Sequence, residues 1–190
     1  MSLTPSTMCE LGTSAPAFEL PATDGRIVRL SDFANTPALL VVFWCNHCPY
    51  VQHIRAGFIT FARDYQPRGL TIVAINANDA AKYPDDSPEM MKVEADQHTF
   101  NFPYLYDETQ AIALAYRAAC TPDFFLYGND HGLVYRGQFD SSRPGNDTPV
   151  TGADLRRSVD ALLEGRPLTT QQMPSIGCNI KWKPGTEPDY

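Results

Sequence analysis

The sequence predicts an α/β fold with a mixed central sheet flanked by helices. Two apolar runs, Leu39 to Trp44 and Leu70 to Asn76, are typical of strands that are buried on both faces. The segment between them, residues 50–65, repeats apolar side chains at helical spacing, so the three elements form a βαβ unit with parallel strands. Two later apolar runs, at 124–127 and 133–138, are separated by a turn-rich segment and predict an antiparallel hairpin.

The other predicted elements surround this core in chain order. Asp24-Gly25 is a turn signal between two short apolar segments and predicts an N-terminal hairpin. Residues 87–100 begin with a serine cap and a first-turn proline, so they predict a helix. Residues 107–118 open with a capping-box pattern and predict a second helix. A threonine cap and a terminal glycine place the last helix at 151–165.

The length of the chain and the distribution of its patterns predict one domain with two attached ends. The chain has 190 residues, which suits a single domain with a well-covered core. We expect residues 1–12 to form a flexible N-terminus and residues 13–166 to form the domain. Residues 167–190 contain several prolines and no periodicity, so we expect a C-terminal tail packed on or near the domain.

The charge of the chain limits its partners. The formal net charge is −7, and the Lys and Arg residues are scattered, so no basic patch for a nucleic acid or an anionic membrane is predicted. No apolar span of about 20 residues and no secretory leader is recognisable. We therefore expect a cytoplasmic protein, whose five cysteines are kept reduced and do not form a disulfide framework.

A Cys-x-x-Cys pair, Cys45 and Cys48, separates the first buried strand from the helix that follows it. This arrangement places both thiols at a helix N-terminus, where partial positive charge and unpaired N–H groups favour the thiolate over the thiol. In a reducing compartment such a pair indicates redox or metal chemistry. Thiol–disulfide exchange between the two sulfurs is the favoured interpretation.

Two motifs together resemble the thioredoxin superfamily. One is the Trp-Cys-Asn-His-Cys segment at 44–48, and the other is the Cys-Thr-Pro segment at 120–122, just before the predicted hairpin. The resemblance implies a thioredoxin-like fold in which the Thr121–Pro122 bond is cis and faces the disulfide. The backbone of Thr121 would then pair with a bound substrate. Cis peptide bonds are almost confined to residues that precede proline, which suits this site.

Longer-range features resemble the redoxin branch of this superfamily, the alkyl hydroperoxide reductase/thiol-specific antioxidant proteins. They are an N-terminal hairpin that begins near residue 15 and an insertion at 77–103. The Cys-x-x-Cys motif and the segments at 135–140 and 174–182 are similar to a bacterial peroxiredoxin-like group, and this resemblance covers residues 10–185. The resemblance implies that the predicted domain is a redoxin domain with antioxidant or oxidoreductase activity.

The similarity to peroxiredoxins fails where those enzymes bind peroxide. Peroxiredoxins carry the motif Pro-x-x-x-Thr-x-x-Cys-Pro. When Cys48 is aligned with their peroxidatic cysteine, Cys45 occupies the threonine position and Val41 the first proline position. We therefore expect a thiol–disulfide oxidoreductase that acts through a Cys45–Cys48 disulfide. A thiol peroxidase, with Cys48 peroxidatic and Cys45 resolving, is the alternative.

In the expected mechanism, Cys45 is the more exposed sulfur and attacks a substrate disulfide, and Cys48 resolves the mixed disulfide. His47 lies between them, where a cation would stabilise the Cys45 thiolate. Trp44 is expected to pack beside the pair and, with the cis-proline loop, to form a substrate-docking surface. The substrate would be a disulfide-containing protein or small molecule, and an unidentified thiol would donate electrons.

Other residues carry weaker predictions. Cys120 and Cys178 are candidate accessory thiols, because the first precedes the cis-proline loop and a folded-back tail could bring the second to the pair. Binding or delivery of copper or zinc by the pair and its histidine is a third alternative. Thiols three residues apart supply only half of a tetrahedral set, so we expect no metal and no cofactor. The acidic pair Asp85-Asp86 is expected to be solvated.

Overall fold

Strands and helices follow one another largely in the predicted order. A computed structural model describes residues 3–190. Its strands are β1 Leu3–Pro5, β2 Glu19–Pro21, β3 Ile27–Arg29, β4 Ala38–Phe43, β5 Leu70–Asn76, β6 Tyr104–Tyr106, β7 Cys120–Thr121, β8 Asp123–Tyr127, β9 Leu133–Gly137 and β10 Ile176–Asn179. Its α-helices are α1 Pro49–Tyr65, α2 Pro88–Gln97, α3 Ala111–Ala115 and α4 Ala153–Leu163. Short 3-10 helices lie at Leu30–Phe33, Gln66–Arg68 and Pro84–Asp86.

A five-stranded mixed sheet with the order β6-β5-β4-β8-β9 forms the centre of the fold. Strand β5 is parallel to β4 and β6, whereas β8 is antiparallel to β4 and β9. Since α1 connects β4 to β5, the predicted βαβ unit and the later hairpin are both confirmed. The N-terminal hairpin is confirmed as the β2–β3 pair. All six residues of β4 are buried, which explains why its sequence is apolar throughout rather than alternating.

The central sheet separates two apolar layers. Alternate side chains of β4 point to opposite faces, so Leu40 and Val42 share a layer with α1, whereas Leu39 and Val41 belong to the other layer. The buried face of α1 includes Val51, Ile54, Phe58, Phe61 and Tyr65, as its periodicity predicts. This packing fixes α1 against the sheet and therefore fixes the position of its first turn.

A second, small sheet joins the two ends of the described chain. Strand β10 lies between β1 and β7 and is antiparallel to both. Strand β1 lies within residues 1–12, the segment that we expected to be flexible, and the expected tail at 167–190 contributes the central strand of this sheet. Met1 and Ser2 lie outside the described residues. Strands this short carry no local sequence pattern, because distant backbone pairing alone creates them.

The middle helices are shorter than predicted because single residues adopt left-handed backbone conformations. Gln110 has a φ of 64°, so α3 begins only after it, although the predicted start was residue 107. Thr99 has a φ of 53°, which explains why α2 ends at 97 rather than near residue 100. Within residues 3–190, no helix is both long enough and apolar enough to cross a membrane.

Gly177 allows β10 to approach the loop that contains Thr121. A Cβ at position 177 would lie 2.0 Å from the Thr121 carbonyl oxygen, a backbone atom that cannot turn aside. We expect Gly177→Ala to destabilise the fold by about 3 kcal/mol, because the two strands must separate. Urea unfolding measures the change. The control is Gly128→Ala, whose Cβ would meet side-chain atoms no closer than 3.3 Å. Equal stability of the two variants would contradict the prediction.

Candidate active site

The two cysteines of the Cys-x-x-Cys motif lie between the end of β4 and the start of α1. Cys48 is the N-cap residue of α1, and Pro49 occupies the first helical position, where a missing N–H costs little. Thr121, the last residue of β7, contacts both sulfurs. Its Oγ1 is 3.2 Å from Cys45 Sγ, and its carbonyl oxygen is 3.2 Å from Cys48 Sγ.

The Thr121–Pro122 peptide bond is cis, which confirms the prediction made from the Cys-Thr-Pro segment. Because Thr121 contacts both sulfurs, the cis-proline loop faces the cysteine pair. Cys120 precedes this loop and is buried, and its Sγ donates to the Pro122 carbonyl oxygen at 3.6 Å. Burial raises the pKa of Cys120, so this thiol resembles an inert core residue more than a reactive one.

Cys48 is the sulfur whose surroundings favour the thiolate. It is buried, and its Sγ lies 2.7 Å from the Sγ of Cys178. Hydrogen bonds from Cys178 and then from Cys45 hold the pKa of Cys48 well below its usual value, because together they outweigh the effect of burial. When Cys48 is protonated, its thiol can donate to Cys178 Sγ or to the carbonyl oxygen of Thr121.

Cys45 has the opposite character. Burial raises its pKa, and interactions with Cys48 and with the Asp86 carboxylate raise that pKa further. Cys45 is 1% exposed and Cys48 is 0% exposed, so both residues are buried and the expected difference in exposure between them is negligible. Thr121 contacts both sulfurs, and Asp86 accepts a hydrogen bond from the Asn46 N–H in the loop between them.

Asp86 organises the loop between the two cysteines. Its carboxylate accepts hydrogen bonds from His47 Nδ1, from the Asn46 N–H at 2.7 Å and from the Asn78 side-chain amide at 2.8 Å. His47 also stacks on Tyr83, with ring centroids 5.4 Å apart. Burial raises the pKa of Asp86, but the three hydrogen bonds outweigh it and hold that pKa below its usual range.

The expectation of a solvated acidic pair is wrong for Asp86, which is 0% exposed, whereas Asp85 is exposed. The short helix at Pro84–Asp86 turns one of these neighbouring carboxylates inward and the other outward. No local pattern distinguishes the two residues, since the partners of Asp86 lie elsewhere in the chain. His47 therefore has a carboxylate partner that sequence reasoning missed.

Trp44 packs in the core and does not form a docking surface. Its side chain is fully buried and stacks on Phe58 of α1, with ring centroids 5.1 Å apart. A buried ring cannot contact a protein substrate, so the expected docking role has no support, whereas the expected packing beside the pair is observed. Tyr50 and Ile176 instead help line a narrow crevice beside Pro122.

Three groups at the site could hold a cation. One ligand atom each from Cys45, His47 and Asp86 lies within 4.8 Å of the others. The sequence-based metal hypothesis used both cysteines and His47, and it did not include this carboxylate. Asp86 already accepts three hydrogen bonds, so a cation would compete with them. The arrangement therefore favours an ordered loop over a metal centre.

The variant Asp86→Asn is expected to be less stable by about 1–3 kcal/mol at neutral pH, because His47 loses its charged acceptor. The pKa of Asp86 is lower in the folded chain than its unfolded value of about 3.9. Its stabilising contribution is therefore present above about pH 4 and is lost as the pH falls through the lower, folded-state pKa. The stability difference between wild type and variant should shrink below about pH 4.

Urea unfolding between neutral and acidic pH measures this difference. The exposed neighbour supplies a matched control, and Asp85→Asn is expected to change stability by less than about 0.5 kcal/mol. The prediction is contradicted if the difference in stability between wild type and Asp86→Asn stays constant or grows as the pH falls. The folded state would then not favour the ionised form of Asp86.

Comparison with known proteins identifies relatives of the whole fold. The model of the AhpC/TSA family matches residues 11–139. A "putative peroxiredoxin" of Mycobacterium tuberculosis is 27% identical over 137 residues, which are 72% of this chain and 81% of that protein. The crystal structure of an uncharacterized conserved protein from Geobacillus kaustophilus is 53% identical, with a TM-score of 0.96, and the match covers 98% of this chain and 99% of that one.

A more distant structural neighbour supports the fold alone. It is a "putative thiol:disulfide interchange protein" from Chlorobium tepidum, which is 22% identical and has a TM-score of 0.62. The match covers 82% of this chain and 99% of that chain. The predicted thioredoxin-like architecture is thereby confirmed. Because the family match spans well over half of the sequence, the chain belongs to the AhpC/TSA family, within the redoxin branch of the thioredoxin superfamily.

Proposed function

We propose that the protein is a thiol–disulfide oxidoreductase that acts through a disulfide between Cys45 and Cys48. The observation that carries the proposal is the contact of both sulfurs with Thr121 in the cis-proline loop. This contact places the two thiols beside one backbone segment, where a disulfide substrate could align with them. The pKa directions make Cys48 the thiolate and Cys45 the thiol of the resting reduced pair, so attack by Cys45 requires its proton to move first.

The reduced pair can begin the exchange with its own proton. Cys45 passes its proton to the Cys48 thiolate, and the resulting Cys45 thiolate attacks one sulfur of the substrate disulfide. The substrate S–S bond breaks, a mixed disulfide forms on Cys45, and the departing thiolate takes up the Cys48 proton. Cys48 then attacks Cys45 Sγ, which releases the second substrate thiolate and leaves the Cys45–Cys48 disulfide.

The proposed substrate is a disulfide-containing protein or small molecule, and a separate thiol donor would reduce the oxidised pair. Turnover of insulin disulfides with dithiothreitol as the donor tests the proposal. We expect the wild type to accelerate this reduction and Cys45→Ser to lose the acceleration. Cys120→Ser removes a buried thiol that bonds only locally and should keep it. Full activity of Cys45→Ser would refute the proposal.

The lowered pKa of Cys48 favours a second candidate, a thiol peroxidase. Here the Cys48 thiolate attacks a peroxide oxygen, the O–O bond breaks, and water or an alcohol leaves. Cys45 then attacks the sulfenic acid on Cys48, water leaves, and the same disulfide forms. Against this candidate, the position of the peroxide-binding threonine is occupied by Cys45 itself.

Stopped-flow reaction of the reduced protein with hydrogen peroxide separates the two candidates. The oxidoreductase proposal predicts that peroxide consumes Cys48 no faster than it consumes a free thiol such as glutathione under the same conditions. A much faster reaction that disappears in Cys48→Ser and persists in Cys45→Ser would instead establish the peroxidase.

A further inference from the structure

We propose that Cys178 is a third redox thiol of this site, which exchanges with the Cys45–Cys48 disulfide and forms an alternative disulfide with Cys48. The inference rests on the proposed function, because the exchange starts from that disulfide. Cys48 would then form either of two alternative disulfides, one with Cys45 in the loop after β4 and one with Cys178 in strand β10.

The contact between Cys48 and Cys178 joins parts of the chain that are far apart in sequence. Their Sγ atoms are 2.7 Å apart across a separation of 130 residues. That distance is only about 0.7 Å longer than a disulfide bond of roughly 2.05 Å. The two sulfurs therefore need to approach each other by only about 0.7 Å to reach bonding distance.

Strands β1 and β7 flank β10 and hold Cys178 in place from both sides. Cys178 is opposite Leu3 in the pairing of β10 with β1, and opposite Thr121 in the pairing of β10 with β7. Gly177 permits the close approach to Thr121, the same residue that contacts Cys45 and Cys48. The third thiol is thus preorganised against the pair rather than carried on a loose tail, which favours a fast intramolecular reaction.

Electrostatics keep Cys178 unreactive until the pair is oxidised. In the reduced site, the hydrogen bond to Cys48 is the main cause that raises the pKa of Cys178, followed by burial and by the Cys48 charge. Oxidation of Cys48 removes both the thiolate and this hydrogen bond. Lys181, whose charge lowers the pKa of Cys178, remains. Formation of the Cys45–Cys48 disulfide therefore lowers the pKa of Cys178 and favours its thiolate.

The exchange itself needs no further oxidant or reductant. The Cys178 thiolate attacks Cys48 Sγ, the Cys45–Cys48 bond breaks, and the Cys48–Cys178 bond forms. Cys45 leaves as a thiolate and takes up the proton that Cys178 lost. The protein stays oxidised by two electrons, but Cys45 is a thiol again. The external thiol donor of the proposed function then reduces Cys48–Cys178.

Disulfide mapping of the full chain tests the third thiol. Reduced Cys45→Ser is treated with diamide, quenched in acid, alkylated and digested for mass spectrometry. The wild type has five cysteines, so this variant has four thiols and cannot form the Cys45–Cys48 disulfide. We expect a disulfide-linked Cys48–Cys178 peptide and the loss of two of the four thiols. The wild type should yield both disulfides. Adding Cys178→Ser, or Cys178→Ala if serine disturbs folding, should abolish the cross-link.

Two results would overturn the inference: a Cys45→Ser protein in which no Cys48–Cys178 peptide forms, or a wild type in which Cys45–Cys48 forms alone. The insulin assay judges the proposed function separately. If the wild type turns over but yields no Cys48–Cys178 peptide, the redox role of Cys178 is rejected and the oxidoreductase proposal is retained. If the Cys48–Cys178 disulfide forms but the protein reduces no substrate, the redox role of Cys178 is supported and the oxidoreductase proposal is rejected.

Discussion

Replacement of Cys48 by serine is expected to stop turnover and to leave a disulfide substrate attached to Cys45. Serine has no thiolate to attack the mixed disulfide, so we expect the rate of insulin reduction to fall by about 10³-fold or more. The same change removes the proton acceptor of Cys45. Because burial raises the pKa of Cys45, the adduct should form faster as the pH rises.

Incubation of Cys48→Ser with oxidised glutathione, followed by intact-protein and peptide mass spectrometry, measures the adduct and its position. Cys120→Ser is the matched control, since it removes another buried thiol and should turn over without accumulating an adduct. Glutathione found on Cys178 instead of Cys45 would contradict the assignment of the attacking sulfur. Normal turnover by Cys48→Ser would contradict any mechanism that uses this pair.

The second large effect is expected in the core, where Arg136→Met should destabilise the fold by about 3–5 kcal/mol. Arg136 and Asp123 are both 0% exposed, and the guanidinium lies 3.2 Å from the carboxylate. Arg136 also donates to Ser6 Oγ at 2.9 Å and to the Arg117 carbonyl at 2.7 Å, and it lies over the Phe125 ring. Removing it leaves a buried charge without its cation.

Urea unfolding of three variants tests this account. Arg166→Met breaks an exposed ion pair with Glu164 and should cost no more than about 1 kcal/mol. The double variant Arg136→Met/Asp123→Leu removes both buried charges, so it should be more stable than Arg136→Met alone. A cost below about 1 kcal/mol for Arg136→Met, or no recovery in the double variant, would show that the buried pair does not govern stability.

The parts of the site that could be predicted are those that local sequence specifies. The Cys-x-x-Cys pair between a buried strand and an amphipathic helix fixed the location of both thiols, because the strand and helix periods are read over neighbouring residues. The cis bond before Pro122 was implied by the resemblance of the Cys-Thr-Pro segment to the thioredoxin superfamily, and the structure contains it. The mixed sheet followed from the same apolar runs.

The rest depends on tertiary contacts that no local pattern encodes. Asp86 is buried next to His47 while Asp85 beside it is solvated, and only the path of the insertion decides between them. Cys178 was a candidate accessory thiol, but its contact with Cys48 requires the pairing of β10 with two short strands from distant parts of the chain. The covered position of Cys45 has the same origin.

The small sheet also sets the order in which the site can assemble during synthesis. A nascent chain that ends before residue 176 already contains Cys45, Cys48 and the cis-proline segment, but it lacks the strand that pairs with Thr121 and carries Cys178. Until that strand emerges from the ribosome, the two thiols have neither their third partner nor its cover. The site is therefore complete only after β10 has paired with β7.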